Sequence, residues 1–414
     1  MPKDTFNIPI TKPWIGEPEV IAASRPILSG WVTQGPEVAS FEQEFARFVG
    51  APAALAVSNC TTALHLALLA VGVSPGDEVI TVSHSFIATA NSIRYCGAIP
   101  VFVDIQPDTF NIDPQLIERG ISEHTKAILC VHQMGMPCDL GAILDIARRH
   151  NLPVIEDAAC AVGSEMKWGG KWQKIGFPMG DIACFSFHPR KLLTTGDGGM
   201  ITTSNLEWDH KFRLMRQHGM SVPDTVRHGS PQVIFESYEQ LGYNYRMTDI
   251  QAAVGREQLK RLPEIVTHRR EQAQRYMDLL VSIPGLELPK EPEWARSNWQ
   301  SFCVRLPQEC DQFQVMQFML DAGVSTRRGI MNAHREPAYE TQPWICGPVS
   351  ENCTCSAGEC ANLVESERAQ NTCILLPLFH QMTEAEQDYV VETLSQACKI
   401  ATKIPHYLSS PNRV

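Results

Sequence analysis

Seven short runs rich in apolar and β-branched residues punctuate the chain between about residues 50 and 205: "ALAVS" (54–58), "EVITVS" (78–83), "IPVFVD" (99–104), "KAILCVH" (126–132), "LPVIED" (152–157), "DIACFSF" (181–187) and "GMITTS" (199–204). Several are apolar throughout, the pattern of strands covered on both faces. Between them "TTALHLALLAVG", "ATANSIRYCG" and "LGAILDIARRH" carry apolar residues at helical spacing. Such alternation predicts an α/β fold with a mostly parallel, doubly wound sheet of seven strands and helices on both faces. From about residue 250 the pattern turns helical, with "DIQAAVGREQLKRLPEIVTHRREQAQRYMDLLVSI" the longest segment. "SFCVRLP", the region around "TRRGI" and the terminal "TEAEQDYVVETLSQACKI" then predict a smaller C-terminal α+β domain. The break is expected in the proline- and charge-rich "PGLELPKEPEW" (284–294), giving a large domain at 1–283 with an N-terminal arm and a small one at 284–414. Residues 221–240 have weak periodicity and read as a mobile loop.

At 414 residues the chain can bury a substantial core. A formal charge of −11 opposes binding to nucleic acid or anionic membrane, though not to a small phosphorylated ligand held by a local cluster of donors. No apolar run approaches the roughly 18 residues that span a bilayer. The opening "MPKDTFNIPITKPW" lacks the apolar centre of a secretory signal, so a cytoplasmic protein is expected. Among fourteen cysteines, Cys96, Cys130, Cys184, Cys303, Cys373 and Cys398 read as small buried hydrophobes, and no disulfide framework is expected. Cys346, Cys353, Cys355 and Cys360 crowd into "CGPVSENCTCSAGEC", a spacing that matches no paired Cys-x-x-Cys zinc pattern. The stretch reads as a polar surface loop, with a metal or iron–sulfur site as the alternative.

Ligands of doubly wound sheets lie beyond the carboxyl ends of the strands. The first run is followed by "SNCTTAL", where Ser58 or Asn59 can cap a helix whose first amides, near Cys60, Thr61 and Thr62, stay open; this is either a phosphate site or ordinary capping. Phe86, in "HSFIATA", can stack on a flat ring or sit in the core. Asp157 closes the fifth run, and a carboxylate there must find a partner. The sixth run ends at Ser186, five residues before Lys191 in "SFHPRKLLTTGDGG". Together these residues call for one ligand with a phosphate, an aromatic ring, a basic ring nitrogen and a carbonyl that accepts an amine. Pyridoxal 5′-phosphate has all four. Lys191 would then hold it as an imine, which requires a lowered amine pKa in a partly desolvated site. Asp157 would pair with the ring nitrogen, Phe86 would cover a ring face, and Thr61, Ser186 and nearby amides would hold the phosphate.

At these residues the sequence resembles the DegT/DnrJ/EryC1/StrS aminotransferases, pyridoxal-phosphate enzymes of fold type I that act mostly on keto sugars. The resemblance runs from "IPITKPWIGEPEV" and "SGWVTQGPEV" through "SNCTTALHLAL", "FIATAN", "FVDIQPDTFNID", "VIEDAACAVGSE", "SFHPRKLLTTGDGGM" and "GYNYRMTDIQAA" to "LPLFHQMTEAEQDYV". It implies the same assignments for Lys191, Ser186, Asp157 and Phe86. It further implies that Asn244 reaches the phosphate of a neighbouring subunit, and hence a homodimer with sites at the interface. Two positions depart from the family pattern. Cys160 stands where relatives place Gln or His near the cofactor's hydroxyl, and a thiol is the weaker donor. Cys60 replaces a small residue in the phosphate loop, which is tolerable if only its amide is used.

The expected reaction is ping-pong transfer from an amino acid, L-glutamate by family analogy, to a keto sugar, most naturally a nucleotide-linked one; a free keto sugar or keto cyclitol remains open. Arg246, Arg327 and Arg328 are candidates for the diphosphate, with surface charge as the alternative. The competing chemistry is sugar dehydration with pyridoxamine phosphate and an iron–sulfur cluster, against which stands the presence of Lys191, where such relatives place histidine.

Overall fold

Each of the seven apolar runs forms a strand. In chain order the strands are β1 (Ala53–Val57), β2 (Glu78–Val82), β3 (Ile99–Val103), β4 (Thr125–Val131), β5 (Val154–Asp157), β6 (Glu165–Trp168), β7 (Lys171–Lys174), β8 (Ile182–Ser186), β9 (Gly199–Thr203), β10 (Ala295–Arg296), β11 (Phe302–Arg305), β12 (Arg327–Arg328), β13 (Ile345–Cys346) and β14 (Cys373–Leu376). The computed structural model describes residues 7–222, 226–227, 230–347 and 358–401.

The large sheet has the order β1-β9-β8-β5-β4-β2-β3-β13. Its strands run parallel except β9, which lies antiparallel between β1 and β8. The sheet therefore has eight strands rather than the seven expected. The eighth comes from the stretch read as a surface loop: Ile345 and Cys346 pair in parallel with Val101 and Phe102. Cys346 and Cys360 are buried with Phe102, Tyr339 and Leu363, because two short β bonds and a few apolar side chains cover the exposed β3 edge. Cys353 and Cys355 lie outside the described residues. Cys96, Cys130, Cys184, Cys303 and Cys373 are buried as expected, whereas Cys398 is only half-buried near the end of the last helix.

Connecting helices follow the sequence pattern. Asn59 caps the helix Cys60–Ala70 by accepting from the Thr62 N–H, and Asp139 caps Leu140–His150 through the Ala142 N–H. The helix Asp249–Leu280 starts at a Thr248–Gln251 capping box. Its Ala252, Leu262 and Val266 join the core of the large sheet, and its Ala273, Tyr276 and Leu280 join a second core under β11 and β14. One helix thus ties the large sheet to the small sheet β11-β14-β12. The described part of 221–240 is irregular, held by the Ser221 N–H on the Ser237 carbonyl at 2.9 Å. No helix among the described residues is long and apolar enough to cross a membrane.

Candidate active site

The middle of the large sheet is β8-β5-β4, so the carboxyl ends of adjacent strands present Asp157 on β5 and, two residues beyond its register partner Cys184, Ser186 on β8. Asp157 is buried, and both its oxygens are engaged. Oδ2 accepts from Thr89 Oγ1 at 2.8 Å and Oδ1 from the Ala159 N–H at 3.1 Å. Thr89 Oγ1 is itself 2.7 Å from Ser85 Oγ. Burial pushes the Asp157 carboxyl above its ordinary range, against the opposing pull of these two donors and of Lys191. Behind it lies a buried pair in which His132 Nε2 stands 2.9 Å from Glu156 Oε2. The Cys138 N–H points at His132 Nδ1 from 2.9 Å, which needs a lone pair there. The ring is therefore neutral, and its Nε2–H donates to Glu156. The His132 N–H also holds the Asp157 carbonyl at 3.1 Å, so this pair fixes the strand end that carries the aspartate.

Lys191 is half-buried in the turn after β8, with Nζ 3.0 Å from Cys160 Sγ. Here the charge balance differs from the sequence expectation. Burial lowers the amine pKa, but the Cys160 sulfur, Asp157 and Cys60 outweigh it, so the Lys191 amine is raised rather than lowered. Burial alone, which the sequence suggested, omits the carboxyl and the sulfurs that the fold gathers around the amine.

The start of the helix Cys60–Ala70 lies directly against the sheet. A Cβ on Gly199 would stand 2.5 Å from the Asn59 carbonyl carbon and 2.9 Å from the Cys60 nitrogen, so only glycine allows the approach. Gly199 pairs with Ser186 across β8 and β9, which makes the Ser186 hydroxyl a neighbour of that helix start. Since Asn59 caps Thr62, the Cys60 and Thr61 amides stay outside the intrahelical ladder. The Cys60 side chain turns inward, with Sγ 3.6 Å from the Cys184 carbonyl, and burial pushes its thiol well up. Only its backbone is offered to a ligand.

Phe86 is 66% exposed, which removes the core reading of that ring. Asn244 is exposed, its Oδ1 accepting from Arg246 Nε at 3.0 Å, and the next residue's carbonyl accepts from the Ser58 N–H at 2.8 Å. Arg327 and Arg328 stand exposed on β12 of the small sheet, Arg328 3.5 Å from Glu336. The hydrogen bonds that knit the Lys191–Asp157 group do not include them. Among the described residues no group of three or more His, Cys, Asp and Glu could hold a metal ion. Sequence reasoning missed Thr89, although it lies three residues after Phe86 at the start of a helix and so shares its edge. It also missed the His132–Glu156 pair, whose partners come from neighbouring strands with no motif to join them.

Over nearly its whole length the chain is similar to known proteins. The spore coat polysaccharide biosynthesis protein SpsC of Bacillus subtilis is 36% identical over 401 residues, covering 96% of this chain and 98% of the relative. Aminotransferase TlmJ from Streptoalloteichus hindustanus superposes with a TM-score of 0.83 at 31% identity, over 95% of this chain and 99% of that one. Spr1654 from Streptococcus pneumoniae, solved in PLP and PMP forms, gives in the PMP form 0.84 at 26% identity, over 95% and 98%. The family model of the DegT/DnrJ/EryC1/StrS aminotransferases matches residues 15–395. The chain belongs to that family, and it is a pyridoxal-phosphate-dependent aminotransferase.

Proposed function

We propose that this aminotransferase moves an amino group from L-glutamate to a keto sugar carried on a nucleotide, with Lys191 as the residue that binds the cofactor. The observation that carries the reading is the placing of the Lys191 amine among Cys160, Cys60 and the buried Asp157 at the ends of adjacent strands. The site fits pyridoxal phosphate on two structural grounds: a glycine-dependent helix start beside Ser186, and a desolvated carboxylate in need of a cation. Bound there, the cofactor supplies an electron sink and a carrier for nitrogen between the two half-reactions.

The roles of the residues follow. Asp157 pairs with the ring nitrogen and keeps a proton on it. Phe86 covers one ring face. The Cys60 and Thr61 amides and the Thr61 and Ser186 hydroxyls hold the phosphate. Cys160 lies toward the ring hydroxyl. Lys191, once displaced by the donor, moves a proton at the donor's α-carbon. Asn244 reaches the phosphate of a second copy, in a homodimer. The exposed Val20, Ile21, Ile27 and Leu28 of one helix, with Val233, Phe235 and Leu241, favour such an apolar contact. Arg246, Arg327 and Arg328 face the acceptor's diphosphate. We place the reaction in the cytoplasm, where a chain with fourteen cysteines stays reduced.

SpsC, named for polysaccharide biosynthesis, supports a sugar acceptor. Borohydride treatment of the cofactor-loaded protein, followed by peptide mapping, is expected to place the label on Lys191. Protein loaded as pyridoxamine phosphate is then screened with nucleotide-linked keto sugars, free keto sugars and keto cyclitols for recovery of the aldehyde spectrum. A label elsewhere overturns the Lys191 assignment; recovery with simple keto acids alone overturns the sugar acceptor.

A further inference from the structure

The segment 297–301 leads into β11 of the small sheet, yet its side chains reach the large sheet's site. Gln300 brackets Lys191. Its Oε1 accepts from the Leu192 N–H at 3.1 Å and its Nε2 donates to the Arg190 carbonyl at 2.6 Å. A primary amide there replaces the neighbouring strand that would otherwise satisfy these two flanking peptide groups, as in the paired bonds of an antiparallel ladder. Asn298 does the same for the loop after Asp157. Its Nδ2 donates to the carbonyls of Cys160 and Val162, both at 2.8 Å, and its Oδ1 accepts from the Gln300 N–H at 2.9 Å. Both side chains are buried. The residue between them, Trp299, takes a left-handed backbone with φ 51°, which turns both amides toward the site. Gly135 makes room: a Cβ on it would lie 2.0 Å from Asn298 Oδ1.

We propose that Gln300 and Asn298 are positioning residues for amino transfer: they fix the peptides that carry Lys191 and Cys160, and so couple the amine to the small sheet. This role rests on Lys191 being the residue that binds the cofactor. Gln300 touches neither substrate nor cofactor; it acts by holding the base of the lysine side chain, so that Nζ sweeps a restricted arc. A purely structural role would cost stability without altering the chemistry at that amine.

The test uses the holoenzyme. Gln300→Met keeps the volume and removes both hydrogen bonds. Gln300→Glu keeps the acceptor for Leu192 and loses the donor to Arg190, and it decides the matter if the Met variant does not fold. In each, borohydride is expected to label Lys191 as in the parent. The rate of the glutamate half-reaction at saturating donor is expected to fall roughly tenfold or more, with KM changed far less. The pH at which the visible band of bound cofactor changes is expected to move. An unchanged rate and spectral pH profile in a folded, Lys191-labelled variant overturns the positioning role alone. A parent protein labelled elsewhere than Lys191 overturns both this role and the reading on which it rests.

Discussion

Replacing Gly199 by alanine tests the phosphate cradle most directly. The added Cβ would stand 2.5 Å from the Asn59 carbonyl carbon, 2.6 Å from its oxygen and 2.9 Å from the Cys60 nitrogen. All three are backbone atoms, so no flexible side-chain tip can swing away. On the strand side Gly199 is held by Val57 and Ser186. To reach ordinary van der Waals separation, helix start and strand must part by roughly 1 Å. Overpacking of a core costs about 1–3 kcal/mol, and backbone on the receiving side places this substitution near the upper end, ~3 kcal/mol. With the phosphate held as proposed, a displacement of that size also carries the Cys60 and Thr61 amides off it. A misplacement of about 1 Å costs up to a hundredfold, so affinity for pyridoxal phosphate is expected to fall roughly 10- to 100-fold. Chemical denaturation of the apoprotein measures the first effect, and spectroscopic titration with the cofactor the second. Gly196→Ala is the control. Its φ is +87° with nothing within 4 Å of the added atom, so it carries backbone strain of about 1 kcal/mol and leaves cofactor affinity unchanged. The reasoning fails if Gly199→Ala matches Gly196→Ala in both assays.

Three further outcomes follow from the same geometry. Thr89→Val removes the hydroxyl that donates to Asp157 Oδ2, a bond to a charged group worth roughly 1.5–3 kcal/mol. Loss of a donor that favours the ionised form raises the Asp157 pKa further, so the acid limb of the activity profile is expected to shift to higher pH; an unmoved limb contradicts this. Asp157 itself is raised in the fold, so the stability its protonated form contributes is present below the ordinary carboxylate range and lost as pH rises through the raised value. Apoprotein carrying Asp157→Asn is therefore expected to be no less stable than the parent near neutral pH, though inactive, and denaturation across pH shows whether the parent's deficit shrinks in acid. His132→Ala removes the N–H donor to buried Glu156, which keeps the Gly180 N–H at 3.2 Å, and loss of a hydrogen bond to a charged group is expected to cost roughly 1.5–3 kcal/mol by denaturant midpoints; an unchanged midpoint contradicts the pairing.

The seven sheet strands read from the sequence were legible because each is buried along all or most of its length and so spells a mainly apolar run. β8, with all five residues buried, needs no further signal. β13 has two residues, and it pairs with β3 across the whole of the chain between residues 103 and 345, so no local pattern could announce it. The site divides along the same line. Asp157, Ser186 and Lys191 sit at strand ends, where alternation alone says that ligands gather. Phe86 could be stack or core on sequence, and only its exposure separates the two. Thr89, Asn298 and Gln300 act through hydrogen bonds to groups 68, 138 and 108 residues away, and such bonds leave no periodicity to read.

The charge on Lys191 shows what a sequence-only account of electrostatics leaves out. Burial of an amine argues for a lowered pKa, and in this fold burial does oppose the charged form. The same desolvation strengthens the attraction of Asp157, because nearby charges interact more strongly once water is excluded. Asp157 and Lys191 thus each favour the charged form of the other. On the reading proposed above, a protonated ring nitrogen at Asp157 takes up one of the charges that hold Lys191 high. The amine that accepts a proton during transfer is then less basic than the amine of the apoprotein, and the aspartate serves both ring and lysine from one position. Cys160 is the remaining influence. Its backbone carbonyl is held by Asn298, whose Oδ1 also accepts from the Gln300 N–H, so the Cα from which the sulfur reaches Nζ is tied to the clamp that holds Lys191.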